Sequence, residues 1–495
     1  MKAGVSPVVA TVLLIAIAVI ASVGVWFWVS SYTAKPPLVE TTFKAFTVVN
    51  AYKNSSNNGC KAIDINNNGG TQITNAMVYV RDYTTGKAAG INGTSPSFSA
   101  YLNITSLAPG STSSFRILGG VPNNFTETNI SDEPNDVYSV AIGDANNDGQ
   151  NEVVIGLLNA TGTANELRMY KNTSGTWVET NISDENAHVY SVAIGDANND
   201  GQNEVVIGRQ SAINELRMYK NTSGTWVETI ISDEDSNVRS VAIGDANNDG
   251  SNEVVIGEVN ADPELRMYNY TGGSWVKTNI KDYGDFVLSV AIGDANNDGS
   301  NEVVVGTGIS SNELRMYKNT SGTWVETNIS DEPGWVNFVV IGDANNDRSN
   351  EVVVGLYSSV NSTRMYENKS GVWIETNISN IGTSIAYSGV IGDANNDGSN
   401  EIVVGGTFNS ELRMYNYTGG SWVETNISNT DEWVHAVAMG DANNDGSNEV
   451  VSAFYEITNE LRMYAGTSGF TSVPLGTYFL KVSTPGVSDQ TFTCV

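Results

Sequence analysis

The stretch Asp144-Ala-Asn-Asn-Asp-Gly-Gln-Asn-Glu152 is repeated along this chain, with near-copies that begin at six further positions. These copies start about 50 residues apart, at Asp196, Asp245, Asp294, Asp343, Asp393 and Asp441. A fixed period of this length is typical of repeat architectures in which each repeat is one supersecondary unit. The acidic stretch follows an apolar run and precedes a valine-rich run, so it is predicted to join two strands.

Each repeat contains four short β-rich runs. They are the two runs that flank the acidic loop, a run like Glu166-Leu-Arg-Met-Tyr170, and a run that contains a tryptophan such as Trp177. Glycine, asparagine and serine separate the runs and predict turns. A lone four-stranded sheet cannot bury both of its faces, so the repeats must pack on one another as an open solenoid or as a closed propeller.

The segment before the first repeat favours the closed form. Asn124-Phe-Thr-Glu-Thr-Asn-Ile-Ser131 matches Thr176-Trp-Val-Glu-Thr-Asn-Ile-Ser183, whereas the seventh repeat diverges where its own tryptophan strand is due. This early segment can therefore complete the last blade and leave no open edge. The sequence predicts an all-β fold with a seven-bladed β-propeller at residues 121–473.

The side chains of the acidic loop indicate a calcium site. Carboxylate or amide oxygens at loop positions one, three and five, with glycine at position six, provide the oxygen ligands that calcium requires. The alternative is a simple turn, since Asn-Asp-Gly runs are ordinary turn formers, but seven copies in register favour metal binding. The predicted ligands of up to seven structural Ca²⁺ ions, which include the carbonyl at position seven and the glutamate at position nine, are Asp144, Asn146, Asp148, Gln150, Glu152, Asp196, Asn198, Asp200, Gln202, Glu204, Asp245, Asn247, Asp249, Ser251, Glu253, Asp294, Asn296, Asp298, Ser300, Glu302, Asp343, Asn345, Asp347, Ser349, Glu351, Asp393, Asn395, Asp397, Ser399, Glu401, Asp441, Asn443, Asp445, Ser447 and Glu449.

The charge balance agrees with bound cations. The chain has 55 acidic and 25 basic residues, a formal net charge of −30. Without metal the carboxylates of each loop repel one another, so calcium is expected to stabilise the fold and chelation to lower the melting temperature. The Asp343 loop is expected to be the weakest site, because Arg348 replaces the glycine at a position where positive φ is expected. So acidic a chain repels phosphate, which excludes nucleic acid as a partner.

The loops resemble those of the FG-GAP and VCBS repeats, the family that includes the integrin α-subunit propeller. The resemblance covers all seven repeats and departs from the family at Arg348 and at position nine, where glutamate replaces the frequent aspartate. It implies that calcium is structural and that ligands bind the opposite face through other loops.

Residues that vary between the repeats mark a candidate ligand face. They lie just before or within the first strand of each repeat, where aromatic side chains could stack on sugars or grip a protein surface. The alternative is free variation at exposed loop tips, with the aromatics only plugging the channel mouth. The candidate residues are Tyr138, Tyr190, Phe286, Trp335, Tyr387 and Trp433.

The N-terminus combines Lys2-Ala-Gly4 with an uncharged apolar run from Val5 to about Val29. A run of this length can span a bilayer, and it lacks the small-residue cleavage site of a conventional secretory signal. It resembles the class III signal of archaeal type IV pilins, which implies cleavage between Gly4 and Val5, a leader at 1–4 and a retained assembly or transmembrane helix at 5–35. The implied partners are identical subunits through this helix, a prepilin peptidase, the pilus assembly machinery and, before assembly, the membrane. A plain membrane anchor is the alternative.

Residues 36–120 alternate polar and apolar residues, as does a late run that begins at Gly476. They predict one pilin-like β-sandwich, formed by 36–120 with 474–495, into which the propeller is inserted. The two cysteines, Cys60 and Cys494, would join its two parts by a disulfide, with free thiols as the alternative. Sequons also suggest an exterior location, with candidate glycosylation sites at Asn54, Asn103, Asn172, Asn221, Asn319, Asn368 and Asn416.

Catalytic residues are not evident. The two histidines, His188 and His435, lie in different repeats and belong to no recognisable triad or metal motif. The sequence therefore predicts a protein that is not an enzyme: an extracellular pilus subunit that displays a calcium-stabilised propeller for adhesion or for surface and cell-cell interaction. The alternatives are a membrane-anchored receptor that does not polymerise and, more remotely, a surface enzyme that degrades polysaccharides with an Asp/Glu pair.

Overall fold

A computed structural model describes most of residues 125–466, apart from loop positions 159–164, 212, 235, 285, 309–312, 359–361, 380–384, 408–411, 419, 429–431 and 456–459. Outside this range it describes the backbone of eight strands. The chain divides into two compact units, Val121–Gly469 and a unit that combines Met1–Gly120 with Phe470–Val495.

The structure describes six strands before residue 120. They are β1 (Phe46–Lys53), β2 (Cys60–Asn67), β3 (Ile73–Asp82), β4 (Ala100–Leu107), β5 (Thr112–Arg116) and β6 (Leu118–Gly119). The alternating polar and apolar residues of 36–120 thus include these six strands.

The repeat region forms seven four-stranded antiparallel sheets, which we number as blades 1 to 7. The strand that precedes blade 1 is β7 (Phe125–Ser131). The first strands of the blades are β8 (Val137–Gly143), β12 (His188–Gly195), β16 (Val238–Gly244), β20 (Val287–Gly293), β24 (Val336–Gly342), β28 (Ala386–Gly392) and β32 (Trp433–Gly440). The second strands are β9 (Glu152–Leu157), β13 (Glu204–Gln210), β17 (Glu253–Glu258), β21 (Glu302–Thr307), β25 (Glu351–Leu356), β29 (Glu401–Gly406) and β33 (Glu449–Tyr455).

The outer two strands of each blade follow the same order. The third strands are β10 (Leu167–Thr173), β14 (Leu216–Thr222), β18 (Leu265–Thr271), β22 (Leu314–Thr320), β26 (Thr363–Lys369), β30 (Leu412–Thr418) and β34 (Leu461–Gly466). The fourth strands are β11 (Thr176–Ser183), β15 (Thr225–Ser232), β19 (Ser274–Lys281), β23 (Thr323–Ser330), β27 (Val372–Asn377) and β31 (Ser421–Ser428). The first strands of neighbouring blades contact one another in a closed ring, with β32 beside β8.

Blade 7 has no fourth strand of its own among the described residues and is completed by β7. The sheet order is β32-β33-β34-β7, and the antiparallel register runs from Leu461 opposite Ser131 to Gly466 opposite Phe125. This pairing confirms the predicted closure of a seven-bladed propeller.

The hydrophobic core lies between the blades. One cluster joins Leu167 and Ile182 of blade 1 to Val189, Ile207 and Tyr219 of blade 2, and an equivalent cluster occurs at each of the seven interfaces between described blades. The second strands are buried along nearly their whole length, since each has a neighbouring blade on both faces. The repeats are therefore stabilised by packing on one another, as a lone sheet could not be.

Two strands follow the propeller, β35 (Gly476–Val482) and β36 (Gln490–Cys494). They extend a five-stranded sheet of order β36-β35-β3-β4-β6, in which β3 pairs with β35, while β1, β2 and β5 form a three-stranded sheet. The terminal unit therefore contains strands from both sides of the propeller in one sheet. Packing of the two sheets as a sandwich stays a prediction.

Several predicted features of the terminal unit lie outside the described residues. They include the leader, the Gly4 and Val5 cleavage site, the apolar helix and Asn54. Cys60 begins β2 and Cys494 ends β36, but their side chains are not described, so the disulfide stays a prediction. Within the part of the chain that the structure describes, no helix has the length and apolar character needed to cross a membrane.

Candidate functional site

The propeller presents two candidate sites at opposite ends of its first strands. The acidic loops join first to second strands, so all seven lie at one end of the ring. The variable aromatic residues precede or begin the first strands, so they lie at the other end. The structure thus separates the two sets of residues as the sequence predicts.

The seven loops share one conformation. In the first loop, the N–H groups of Asp148 and Gly149 donate to the two carboxylate oxygens of Asp144 at 3.0 and 2.9 Å. The fourth and sixth positions, Asn147 and Gly149, have φ of 62° and 85°, a conformation that favours asparagine and glycine. These bonds fold the loop around the side chains of positions one, three and five.

The glutamate at position nine lies buried beneath each loop. Glu152 is fully buried, and its Oε2 accepts from the Ala145 N–H at 3.1 Å while its Oε1 accepts from the Asn146 Nδ2 at 2.8 Å. It therefore holds the loop backbone and orients the third-position amide. A direct bond from this glutamate to calcium stays a prediction.

The loop oxygens fit a hard cation. Orienting Asn146 through its Nδ2 leaves its Oδ1 buried without a hydrogen-bond partner, and the same holds for Asn247 and Asn296. A buried carbonyl oxygen without a partner costs free energy that a metal ion would recover. Together with the carboxylates of positions one and five, these oxygens are the ligands that calcium prefers, and bound calcium would supply structural stabilisation.

Burial in a carboxylate-rich loop also perturbs the position-nine glutamates. Burial, followed by the charge of Asp148, raises the pKa of Glu152 to about 7, and burial with Asp397 raises the pKa of Glu401 to about 9. A raised carboxyl pKa means that the negative charge is unfavourable there. A proton or a cation would therefore stabilise these loops.

The fifth residue of the third strand differs between blades, and its side chain lies over the acidic loop of the same blade. In blades 1, 2 and 4 it is a lysine, Lys171, Lys220 or Lys318, whose Nζ pairs with the position-five aspartate. The same Nζ atoms lie 3.5, 3.5 and 3.4 Å from the position-nine glutamates. No role is predicted for these lysines from the sequence, although asparagine, glutamate or alanine replaces them in the other repeats.

The loop that the sequence predicts to be the weakest keeps the common conformation. Arg348 takes the glycine's place with φ of 77°, and its N–H donates to Asp343 at 2.9 Å. In this blade the third strand supplies Glu367, and carboxylate oxygens of Asp347, Glu351 and Glu367 lie within 4.8 Å of one another. The loop with the least favourable turn residue is therefore the one where, among described residues, three carboxylates converge.

Asparagines link each loop to the next around the whole ring. The Asn147 side chain accepts from the Asn203 N–H at 2.7 Å and donates to the Asn203 carbonyl at 2.8 Å, and Asn203 Nδ2 donates to the Asp144 carbonyl at 3.0 Å. We call this three-bond unit the asparagine clasp. It recurs at every blade interface, and Asn444 with Asn151 joins blade 7 to blade 1. The clasp was not predicted from the sequence.

At the other end of the propeller, aromatic side chains from several blades form a belt that we call the aromatic ring. Tyr138 lies 5.5 Å from Tyr190 and 4.9 Å from His435, and His435 stacks on Tyr387 at 5.1 Å between ring centroids. The Arg239 guanidinium covers Tyr190 at 4.3 Å. These residues occupy the same position in their first strands, so the symmetry of the propeller brings them together.

A second layer of aromatics extends the ring outward. Trp433 stacks on Tyr455 at 5.6 Å, while Trp335 contacts both Phe286 and Tyr357 at 5.9 Å. Trp335, Tyr357, Trp433 and Tyr455 are 46%, 53%, 37% and 51% exposed, unusually large values for such side chains. The contacts thus bring four of the six predicted residues, Tyr138, Tyr190, Tyr387 and Trp433, together with His435, Arg239 and Tyr455. The other two, Phe286 and Trp335, form a second group with Tyr357.

His435 is neutral within the ring. Burial, followed by the nearby positive charge of Arg239, lowers its pKa to about 4. Its imidazole therefore contributes a flat uncharged surface near neutral pH rather than a cation.

The candidate glycosylation sites fall into two groups. Asn172, Asn221, Asn319 and Asn368 lie at the hairpins between the third and fourth strands, where each Oδ1 accepts from a glycine N–H at 2.9 Å. Asn416 instead donates through Nδ2 to Glu401 at 3.0 Å, so its amide faces an acidic loop. The side chain of Asn103, in β4, is outside the described residues.

Comparison with known proteins supports the repeat assignment. The model of the FG-GAP-like repeat matches residues 198–256, 294–354 and 393–452. The chain therefore contains FG-GAP-like repeats, which are typical of extracellular adhesion or binding domains and often bind calcium. No curated protein matches the chain.

Solved structures with a similar backbone are distant in sequence. A chain of a mitotic checkpoint complex is 14% identical, covers 70% of this chain and 93% of its own length, and has a TM-score of 0.48. The extracellular domain of a putative one-component system from B. thetaiotaomicron is also 14% identical and covers 69% of this chain and 40% of its own, with a TM-score of 0.47.

Proposed function

We propose that this protein is an extracellular type IV pilus subunit whose calcium-stabilised propeller binds a glycan or a protein surface through the aromatic ring. The ring is the observation that carries the binding proposal. It is built from non-repeated residues on several blades, it exposes large aromatic surface, and it lies at the end opposite the acidic loops. Exposed aromatic faces with a neighbouring guanidinium are suited to sugar stacking and to protein contacts.

Mutation of the ring tests the binding proposal. The double variant Tyr387→Ala with Trp433→Ala is expected to lose adhesion and glycan-array or protein-array binding. Tyr417→Ala is the matched control, because Tyr417 contacts Trp422, with ring centroids 5.0 Å apart, on an outer hairpin of blade 6 away from the ring. Unchanged adhesion by a folded double variant would instead favour aromatics that only plug the channel mouth.

The pilus role rests on the apolar N-terminus and its resemblance to class III signals. Cleavage before Val5, together with filaments that carry knobs labelled by an antibody to the propeller, is the expected result for material sheared from cells. Label confined to the cell membrane would favour the alternative, a membrane-anchored receptor.

Non-reducing mass spectrometry tests the proposed Cys60–Cys494 disulfide, which free thiols would exclude.

We also propose that the protein is not an enzyme. Buried glutamates between the blades pair with neighbouring tyrosines and arginines, as Glu133 does with Tyr170 and, at 2.9 Å, with Arg168. Such pairs serve packing, because a buried charge needs partners of this kind. The polysaccharide-degrading alternative predicts glycan turnover by the purified protein, and sustained absence of turnover on bound glycans would count against it.

A further inference from the structure

We propose that the seven acidic loops form two classes: the loops of blades 1, 2 and 4 are neutralised by the chain's own lysines, and those of blades 3, 5, 6 and 7 take up calcium, blade 5 most tightly. The inference rests on the proposed calcium role and adds which loops hold the ion. It predicts four tight sites in place of the seven that the repeated motif suggests.

The lysines occupy the position that a metal would take. Lys171 Nζ pairs with Asp148 Oδ2 and lies 3.5 Å from Glu152 Oε1, so one ammonium neutralises carboxylates from loop positions five and nine. Lys220 and Lys318 repeat this arrangement in their blades. A calcium ion must displace the ammonium before it binds these oxygens, which lowers its apparent affinity.

The other four blades carry no ammonium at this position. Asn269 and Asn416 replace the lysine in blades 3 and 6, and Ala465 replaces it in blade 7. In blade 6 the Asn416 amide donates to Glu401 without adding charge. In blades 3, 6 and 7 the loop carboxylates are therefore left for an external cation, whereas in blade 5 the exposed Lys369 Nζ pairs with Glu367 at 3.0 Å.

Blade 5 adds a ligand where the others have a lysine or a neutral residue. Glu367 brings a third carboxylate to Asp347 and Glu351, with oxygens of the three within 4.8 Å of one another. Glu351 is fully buried, and its Oε1 has no hydrogen-bond partner, whereas the equivalent atom accepts from an asparagine amide in the other six blades. A buried carboxylate oxygen without a partner, aimed into a carboxylate cluster, is the arrangement that a divalent cation would satisfy.

Calcium binding to the chelator-treated, full-length protein tests the two classes. Isothermal titration calorimetry with calcium is expected to give four tight sites for the wild type. It should give seven for the triple variant Lys171→Asn, Lys220→Asn and Lys318→Asn. Asparagine is the residue that blades 3 and 6 carry at this position. Lys281→Asn is the matched control, because Lys281 pairs with Glu326 at 2.9 Å on the outer strands and should leave the count at four.

Melting in chelator gives a second readout. The triple variant should melt lower than the wild type without calcium, since its loops lose their internal cation, and should gain more from added calcium. Seven tight sites in the wild type, unchanged in the triple variant, would overturn the two classes while the calcium role survives. No calcium binding by either protein would overturn both.

Glu367→Gln tests the blade 5 site. It is expected to weaken the tightest site on the order of tenfold or more, which corresponds to the loss of one charged ligand. Glu375→Gln is the control, because Glu375 lies on the fourth strand of the same blade and pairs with Arg364 at 3.2 Å. Equal calcium affinity in Glu367→Gln and wild type would remove Glu367 from the site.

Discussion

Phe338 and Gly389 illustrate how a single pair of residues departs from the repeat without breaking it. Five blades carry a serine where blade 5 carries Phe338, and six carry a valine where blade 6 carries Gly389. A Cβ added to Gly389 would lie 2.4 Å from the buried Phe338 ring. The missing side chain on one blade therefore accommodates the extra ring on its neighbour.

Gly389→Val is expected to destabilise the propeller by about 1–3 kcal/mol, the usual effect of overpacking a core. Phe338→Ser should reverse most of this loss in the double variant, because it restores the residue pair found at other blade interfaces. Denaturant unfolding of the wild type, both single variants and the double variant measures the coupling. Additive effects of the two substitutions would show that the residues do not compensate each other.

His435 gives the propeller a pH dependence of known sign. Its pKa is lowered to about 4 in the fold, from an ordinary value of 6.5, by burial and then by Arg239. The unfolded chain therefore binds a proton between pH 6.5 and 4 while the folded chain does not, so the contribution of His435 to stability falls as the pH drops through this window. The position-nine glutamates with raised pKa contribute the opposite slope. Between pH 7 and 5 the melting temperature of His435→Phe should therefore fall less, or rise more, than that of the wild type. An unchanged slope would assign the pH dependence to other groups.

Individual residues could be predicted from the sequence where the repeat supplied a template. The loop side chains could be located because they repeat a fixed pattern. The six aromatic residues could be located because they depart from it. The lysines over the loops and the partners of Glu351 could not, since they depend on which third-strand residue faces which loop. The weaker calcium binding predicted for the Asp343 loop stays a prediction, while the backbone at Arg348 keeps a positive φ and its bond to Asp343.

The asparagine clasp gives the acidic loops a role that does not depend on metal. Asn147→Gly introduces the residue best suited to positive φ and removes the side-chain bonds to Asn203. The free energy of unfolding should fall by about 1–3 kcal/mol, because a buried or half-buried backbone pair loses its partners. The comparison is with Asn186→Gly, which also has positive φ, 51°, but lies outside the acidic loops. Equal losses would indicate a general glycine effect.

Strands were easier to predict than the contacts between them. Four runs per repeat gave four strands per blade, because strong alternation and turn residues act locally. The clasp joins residues more than fifty positions apart, such as Asn147 and Asn203, and nothing in a single repeat distinguishes its asparagines from ordinary turn formers.

The whole propeller depends on the strand that closes it. Thr128→Pro places a residue without an N–H in β7, opposite Met463, and should open the seam between the first and last repeats. Thr327→Pro, opposite Met316 within blade 4, is the comparison, since that strand stays covalently joined to its own blade. Both should lower the melting temperature. Only Thr128→Pro is expected to form oligomers in size-exclusion chromatography, through the exposed edge of β34.

At the level of the whole chain, the match between residues 124–131 and the tryptophan strands was enough to predict closure. The number of blades followed from counting the acidic loops. The terminal unit has no repeat, so fewer of its features could be predicted from the sequence. Its late strand β35 nevertheless pairs with the early strand β3.

The closing pair also constrains the order of events during synthesis. Phe125–Ser131 leaves the ribosome before any blade, and its partner Leu461–Gly466 is nearly the last segment of the repeat region to be translated. Blades 1 to 6 can form from neighbouring segments as they emerge. The early strand β7 stays without its partner strand until almost the entire propeller has been synthesised. Until β34 is made, a nascent chain therefore carries an unpaired strand at its early end and an uncovered apolar face on its last complete blade, and a chain that stops in any repeat keeps both.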